Sequence, residues 1–302
     1  MSETSTGPIV VTGANGFVGA RVCQAIAERG GTVRAVVRRA GTAPGLPGVE
    51  ERVGDFGDAG FAASVLAGAT AAVTTVHPMG SDAATQRQVG VEATSTFAQQ
   101  ASQAGVDLLV HISTAAVYDR SPAAGDVDES SALVGDDAND YAVTKRDTDA
   151  ALAAVDGLTR VLVRPPAILG PGETSVWNTL RPADIRDDAS ERRTPPDGTF
   201  AWVHVADLAA FVADLATGRI GTADVPAAGP VAGGCTAVNL AAPRATQRDY
   251  LGTVTDALGV EPQWQDGPAW TGRIVADRAR AWGWAPQVEL DEALAEIATG
   301  LG

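Results

Sequence analysis

The stretch Val10-Val11-Thr12-Gly13-Ala14-Asn15-Gly16-Phe17-Val18-Gly19 limits what can fold around it. Residues 8–11 are short and apolar, which suits a parallel strand buried on both faces. Residues 20–29 carry Val22, Cys23, Ile26 and Ala27 at helical spacing, and Gly30-Gly31 stops the helix. Strand, glycine turn and helix, in that order, can cradle the pyrophosphate of a dinucleotide. Gly13 permits the tight turn. Gly16 has no Cβ, so backbone can approach the phosphates. Gly19 lets the helix pack close to the strand, and the helix N-terminus favours negative charge. The spacing is G-x-x-G-x-x-G rather than G-x-G-x-x-G, so an ordinary strand–helix turn stays open at this point.

The same rhythm continues. Strands are predicted at residues 32–37, 49–53, 71–76, 107–112 and 159–163, with helices at 58–67, 81–104 and 140–155. Strands alternating with helices imply parallel βαβ units and an α/β doubly wound parallel sheet. After Pro166 the rhythm breaks. Residues 171–198 are rich in Pro, Asp and Arg, with one helical patch at 176–180. Short strands at 202–205 and 237–241 and helices at 206–216, 248–258 and 290–298 follow, with a small-residue loop at 223–235. The expected organisation is a dinucleotide-binding domain over residues 1–166, to which 199–222 returns. Residues 167–198 and 223–302 form a smaller α+β C-terminal substrate region.

Composition excludes several classes. A net charge of −15 with no basic block argues against nucleic acid as a partner. No apolar stretch approaches the length of a membrane span, and the first seven residues lack the apolar core of a signal peptide. Cys23 and Cys235 are the only cysteines, which points to a reducing, cytoplasmic setting. His77, His111 and His204 lack metal-ligand spacing, so no metal is expected. Of 22 Lys and Arg residues only one, Lys145, is lysine.

That lysine falls in a pattern with chemical meaning. The end of the fifth strand supplies Ser113-Thr114-Ala115-Ala116-Val117-Tyr118, and the next helix opens with Tyr141-Ala142-Val143-Thr144-Lys145. Tyr141 and Lys145 are four apart and share a helix face. An ammonium beside a phenol favours the phenolate and lowers its pKa from about 10. Such a tyrosine can give a proton to a carbonyl oxygen or take one from an alcohol. A strand-end hydroxyl can hold the same oxygen, at the sheet edge where open α/β sheets bind ligands. Alone, a Tyr-x-x-x-Lys pair is most often a surface pair, and Thr114 alone a loop-capping hydroxyl.

Taken together, Thr12-Gly13-x-x-Gly16-x-x-Gly19, Ser113-Thr114-x-x-Val117-Tyr118 and Tyr141-x-x-x-Lys145 resemble the extended short-chain dehydrogenase/reductases, the NAD-dependent epimerase/dehydratase-like group. Arg164-Pro165-Pro166, Trp202-Val203-His204-Val205-x-Asp207-Leu208 and Arg280-x-Trp282-Gly283-Trp284-x-Pro286 extend the resemblance over nearly the whole chain. The resemblance implies a Rossmann sheet and a nicotinamide cofactor. It places the catalytic hydroxyl on Thr114, the acid/base on Tyr141 and its ribose-binding partner on Lys145. It also places cofactor contacts on Gly13, Asn15, Gly16, Phe17, Val18, Gly19, Asp55, Phe56, Val76, His77, Lys145, Pro165 and Ile168. Arg38 and Arg39 stand where an NAD-selective site has an acidic residue for the ribose, which favours the 2′-phosphate of NADP(H). His204 and Asp207 read as structural, and Tyr118 as packing.

Two departures stand out. His77-Pro78-Met79-Gly80 replaces the family's His-Leu-Ala-Ala, and Gly90 stands near the place of a family Asn. The expected activity is reversible, NADP(H)-dependent reduction of a small or medium, largely uncharged ketone or aldehyde to an alcohol. The alternatives are a sugar-nucleotide epimerase or dehydratase and, from another class, a non-catalytic NADP-binding sensor. Segment 198–202 lacks the Arg that family enzymes for nucleotide sugars carry, and Trp177, Trp202 and Trp264 could line an apolar pocket. The partner expected is thus a small-molecule carbonyl or alcohol substrate. Family members pair through helices like 84–104 and 141–155. Here Gln99, Gln100, Asp147 and Asp149 make no apolar seam, so homodimer and monomer both stay open.

Overall fold

In the computed structural model, which describes residues 7–302, strand β1 (Ile9–Thr12) runs into helix α1 (Phe17–Glu28) through the glycine turn. All but the last of the polar N-terminal residues discussed above lie outside the described part. Gly13 takes φ +67°, and the Gly16 amide donates to its carbonyl at 2.9 Å. Gly16 is extended and serves as the N-cap, so α1 starts three residues before the apolar spacing begins. The first half then follows the expected alternation: β2 (Val33–Val37), β3 (Val49–Val53), α2 (Ala59–Leu66) and β4 (Ala71–Thr74).

One long helical stretch comes next, built from α3 (Ala83–Gln86), a wide π-type segment (Arg87–Ala93) and α4 (Thr94–Gln103). β5 (Leu108–Ile112), α5 (Asp140–Ala153) and β6 (Thr159–Arg164) complete the alternation. Helix starts follow local chemistry. Asp58, Asp82 and Asn139 accept backbone N–H bonds at the heads of α2, α3 and α5.

The second half is made of shorter pieces: β7 (Ala167–Leu169), α6 (Arg181–Asp187), β8 (Arg193–Thr194), β9 (Thr199–Phe200) and β10 (Trp202–His204). Helix α7 (Val205–Ala216) leads to β11 (Cys235–Asn239) and β12 (Ala245–Thr246). Helix α8 (Gln247–Leu258), β13 (Gln263–Trp264), α9 (Asp277–Ala281) and α10 (Leu290–Leu301) follow. Among the described residues, no helix is long and apolar enough to cross a membrane.

Seven parallel strands form the central sheet in the order β11-β6-β5-β4-β1-β2-β3. This is the doubly wound Rossmann arrangement, and the strand order reverses between β1 and β4. Alternate side chains of β1 enter opposite cores. Ile9 and Val11 join the α1 and α7 side, and Val10 joins the α2, α4 and α5 side. The sequence placed a strand at 237–241, within the substrate region. The strand instead forms two residues earlier and docks on β6, with Val238 opposite Val163. Five residues without clear alternation carry no mark of the strand they will meet. A separate apolar cluster around Leu169, Ile185, Phe200, Trp202, Tyr250, Val254 and Ile297 organises the C-terminal pieces.

The tightest constraint lies at the α1–β1 approach. A Cβ at Gly19 would stand 2.1 Å from the Gly13 carbonyl oxygen. Gly19→Ala is expected to lower unfolding free energy by about 1–3 kcal/mol, the usual cost of overpacking. At Gly252, inside α8, an added Cβ meets nothing within 4 Å. There, Gly252→Ala should raise stability by about 0.5–1 kcal/mol through helix propensity. Urea unfolding of both variants checks the pair, and opposite signs are the expected outcome.

Candidate active site

A cavity of about 1350 Å³ opens at the C-terminal edge of the sheet, over the point where strand order reverses. Its walls bring together residues far apart in the chain. Gly13, Asn15, Gly16, Phe17, Val18 and Gly19 form one end. Arg38 and Arg39 after β2, Asp55-Phe56 after β3 and Val76-His77 after β4 continue the wall. Thr114, Tyr141, Lys145 and Ile168 face the same space. Pro165 is not on the wall. Its carbonyl accepts from the Ala115 amide at 2.8 Å, and Pro166 lines the cavity in its place.

The glycine end can hold phosphates. Among the described side chains, none caps the first turn of α1, so its backbone donors stay free for an anion. Among the described residues, and apart from its chain neighbours, a Cβ built on Gly16 would meet only the Gly13 carbonyl oxygen, at 3.2 Å. Beside it, Arg38 and Arg39 are exposed. The Glu51 carboxylate accepts from the amides of Gly41, Thr42 and Ala43, at 2.9–3.1 Å.

At the reacting end, Thr114 caps a short turn, and its Oγ1 accepts from the Ala116 amide at 3.1 Å, leaving its own proton to donate. Burial raises the Tyr141 pKa, while the Thr114 hydroxyl and the Arg120 charge pull it back. The expected lowering by Lys145 is absent. The Lys145 ammonium donates to the Ile112 carbonyl at 2.8 Å, and Arg120 is the cation that acts on the phenol. Burial pushes the Lys145 pKa down from 10.5 to about 8, against the charge of Asp149 one turn further along α5. Asp149 is itself buried and pairs with Arg164 at 3.0 Å, so it belongs to the interior and not to a surface seam.

The sequence singled out His77 as a cofactor contact and Gly90 as a departure, but not their packing, and it missed Arg120 on the wall. His77 meets Tyr141 edge to face, with ring centroids 4.9 Å apart, and burial lowers its pKa to about 4, so it is neutral at pH 7. Gly90 sits in the π-type segment, and a Cβ there would lie 3.0 Å from Thr144 Cγ2. A family Asn at that position would press on α5. Arg120 follows Tyr118 in a loop and carries no motif. Of the three tryptophans proposed for the pocket, only Trp177 lines it. Trp202 is core, with its indole bonded to the Pro243 carbonyl, and Trp264 lies under Arg248. His204 caps α7 and meets Glu296, and Asp207 accepts the Gln287 and Val288 amides, so both act structurally.

Residues 9–219 match the model of the NAD dependent epimerase/dehydratase family. A sterol demethylase protein B of Methylococcus capsulatus is 32% identical over 215 residues, covering 67% of this chain and 63% of that protein. A ceramide reductase of Caulobacter vibrioides is 28% identical over 220 residues, covering 70% and 61%. The matched segments thus span less than two thirds of these relatives' own lengths. Among solved structures, the dTDP-glucose 4,6-dehydratase DesIV of Streptomyces venezuelae, with NAD and TYD bound, superposes with a TM-score of 0.75. It is 23% identical, with 97% of this chain and 96% of that one covered, and so speaks to the fold. The matches fit epimerase, dehydratase or dehydrogenase chemistry better than simple reduction of a small carbonyl compound.

The buried ammonium has a thermodynamic signature. Unfolded Lys145 keeps its proton to about pH 10.5, whereas the folded chain releases it near 8. Between these values the unfolded state binds more protons, so stability rises with pH. The stability of wild type relative to Lys145→Met should therefore climb by about 1–3 kcal/mol from pH 8 to 10.5. Urea unfolding across that range checks it, and a flat difference would mean that Lys145 is solvated.

Proposed function

This chain belongs to the NAD-dependent epimerase/dehydratase family of extended short-chain dehydrogenases/reductases, and from that premise we propose that it interconverts an alcohol and a ketone or aldehyde, using NADP(H), on a small or medium substrate with a largely uncharged body. The observation that carries this reading is the meeting of Thr114, Tyr141 and Lys145 on one wall of the cavity that the glycine turn also lines. When bound, the nicotinamide gives or takes the hydride. Thr114 donates to the substrate oxygen. Tyr141 protonates that oxygen in reduction and accepts its proton in oxidation. Lys145, anchored on the Ile112 carbonyl, keeps further N–H donors for the ribose hydroxyls.

The substrate end supports an apolar body. Trp177 is held by edge contacts with Phe200 and Tyr250, at 5.3 and 5.5 Å, and by the Tyr250 hydroxyl donating to its carbonyl. Met79 and Leu180 line the same cavity while 57% and 48% exposed, which suits an apolar ligand at its mouth. The second reading, a sugar-nucleotide epimerase or dehydratase, is favoured by the family description and the DesIV fold. The two are separated by assaying oxidation of apolar secondary alcohols and turnover of UDP-glucose and dTDP-glucose. Turnover of a nucleotide sugar alone would establish the second reading.

The chemical roles predict a graded response. Tyr141→Phe and Lys145→Arg should each lose about a hundredfold or more in kcat/KM, near 2.7 kcal/mol. A guanidinium fork replaces a compact ammonium poorly between the Ile112 carbonyl and the ribose hydroxyls. Thr114→Ser should keep much of the activity. Near wild-type turnover in both Tyr141→Phe and Lys145→Arg would make the Tyr-x-x-x-Lys match accidental.

Cofactor choice is a separate expectation. Exposed Arg38 and Arg39 suit a 2′-phosphate. Titration should show tighter NADPH than NADH binding, and Arg38→Ala should shrink the gap. Equal wild-type affinities would exclude the preference.

A further inference from the structure

A side chamber of about 250 Å³ opens off the substrate end of the cavity. The two spaces share Arg120, Thr199 and Gln247, and Thr194 and Trp270 complete the chamber's polar and aromatic walls. Among the described residues, no acidic side chain lines it. The Arg120 guanidinium lies over the Trp270 ring, 5.7 Å from its centroid. The indole is fixed by its N–H bond to the Gly125 carbonyl at 2.8 Å. Burial lowers the Arg120 pKa, and the countering influence on it is Tyr141 rather than a carboxylate. The chain therefore half-buries a cation beside the reacting tyrosine, and no acidic side chain among the chamber's described walls supplies its anion. An unpaired cation so placed is costly unless a ligand neutralises it.

We propose that this chamber binds a carboxylate carried by the substrate a few bonds from its reacting carbon, with Arg120 as the counter-charge and Gln247 and Thr194 as neutral donors. The substrate class is then a hydroxy or oxo acid with an apolar body, which deepens, and rests on, the alcohol–carbonyl reading of the main site. Several features favour a carboxylate over a nucleotide's pyrophosphate. The planar fork of Arg matches a carboxylate in a two-point contact. Among the described residues, Arg120 is also the single cation lining the chamber, whereas a pyrophosphate carries more than one negative charge. The apolar walls at Met79, Trp177 and Leu180 lie in the adjoining cavity, where the rest of such a molecule would run.

The test measures binding by calorimetry to wild type, Arg120→Ala, Arg120→Gln and Arg120→Lys. Three probes are used with the NADP⁺-saturated chain: 3-hydroxydecanoate, its methyl ester and UDP-glucose. Wild type should bind the acid about tenfold or more tighter than the ester. Arg120→Ala and the size-conserving Arg120→Gln should bring the acid down to the ester, with NADP⁺ affinity unchanged, and Arg120→Lys should keep part of the gap. No acid–ester difference in wild type, whether both bind or neither does, overturns the proposal. So does a gap that survives in both Arg120→Ala and Arg120→Gln. Arg120-dependent binding of UDP-glucose but not of the acid would overturn it in favour of a phosphate. NADP⁺ binding is read separately. Its failure would strike the reading of the main site, and the acid–ester comparison would then be made on the chain alone.

Discussion

A single ammonium held out of water sets the terms for the site and for much of the sheet edge. Lys145 is 4% exposed, and the Ile112 carbonyl takes one of its hydrogen bonds. The charge is tolerable because Asp149 lies on the same face of α5, one turn on, and supplies a compensating field. Asp149 requires a partner in turn and finds it in Arg164 at the end of β6. Arg164 also donates to the Tyr118 hydroxyl at 2.8 Å, and that hydroxyl donates to Asn239 of β11 at 2.8 Å. One polar chain thus runs from the candidate catalytic helix, under the loop that carries Thr114, to the outermost strand. Removing one partner of such a buried pair typically costs about 3–5 kcal/mol, because the other is left uncompensated.

The cavity above this chain is divided by its chemistry. At one end, uncapped N–H groups of α1 and two exposed arginines face the space where phosphates would lie. At the other, Trp177, Met79 and Leu180 present apolar surface, and Arg120 contributes one positive charge. Between them stand Thr114, Tyr141 and the neutral His77, whose ring packs against the phenol. A neutral imidazole packs against the tyrosine ring without adding a charge next to it. The phenol's proton affinity is therefore balanced among burial, one hydroxyl and a cation from a different loop.

Much of this was legible in the residues alone. The glycine trio, the strand–helix alternation through β6 and the Tyr-x-x-x-Lys spacing are local patterns. Local patterns follow from backbone sterics and side-chain periodicity, which need no knowledge of distant contacts. Even the departure at Gly90 was visible, although its reason, contact with Thr144 on α5, was not. The single lysine among many arginines pointed to a position that the fold buries at the cavity wall.

Tertiary structure decided what depends on partners remote in sequence. The short strand Cys235–Asn239 becomes the sheet edge only because β6 offers an unpaired ladder, a pairing no local pattern encodes. Asp149 reads as a solvated helix residue until Arg164 and Lys145 are seen to enclose it. Trp177 and Trp202 have the same composition signal, yet one lines the cavity and the other fills a core. Arg120 gains its meaning from Trp270, 150 positions on, and from a phenol on another element. The sequence by itself determined the strand–helix alternation through β6, the glycine turn and the candidate site groups Thr114, Tyr141 and Lys145, because these rest on spacing along the chain. Which charge acts on which group was decided by folding, because burial and Coulomb interactions depend on distance through space.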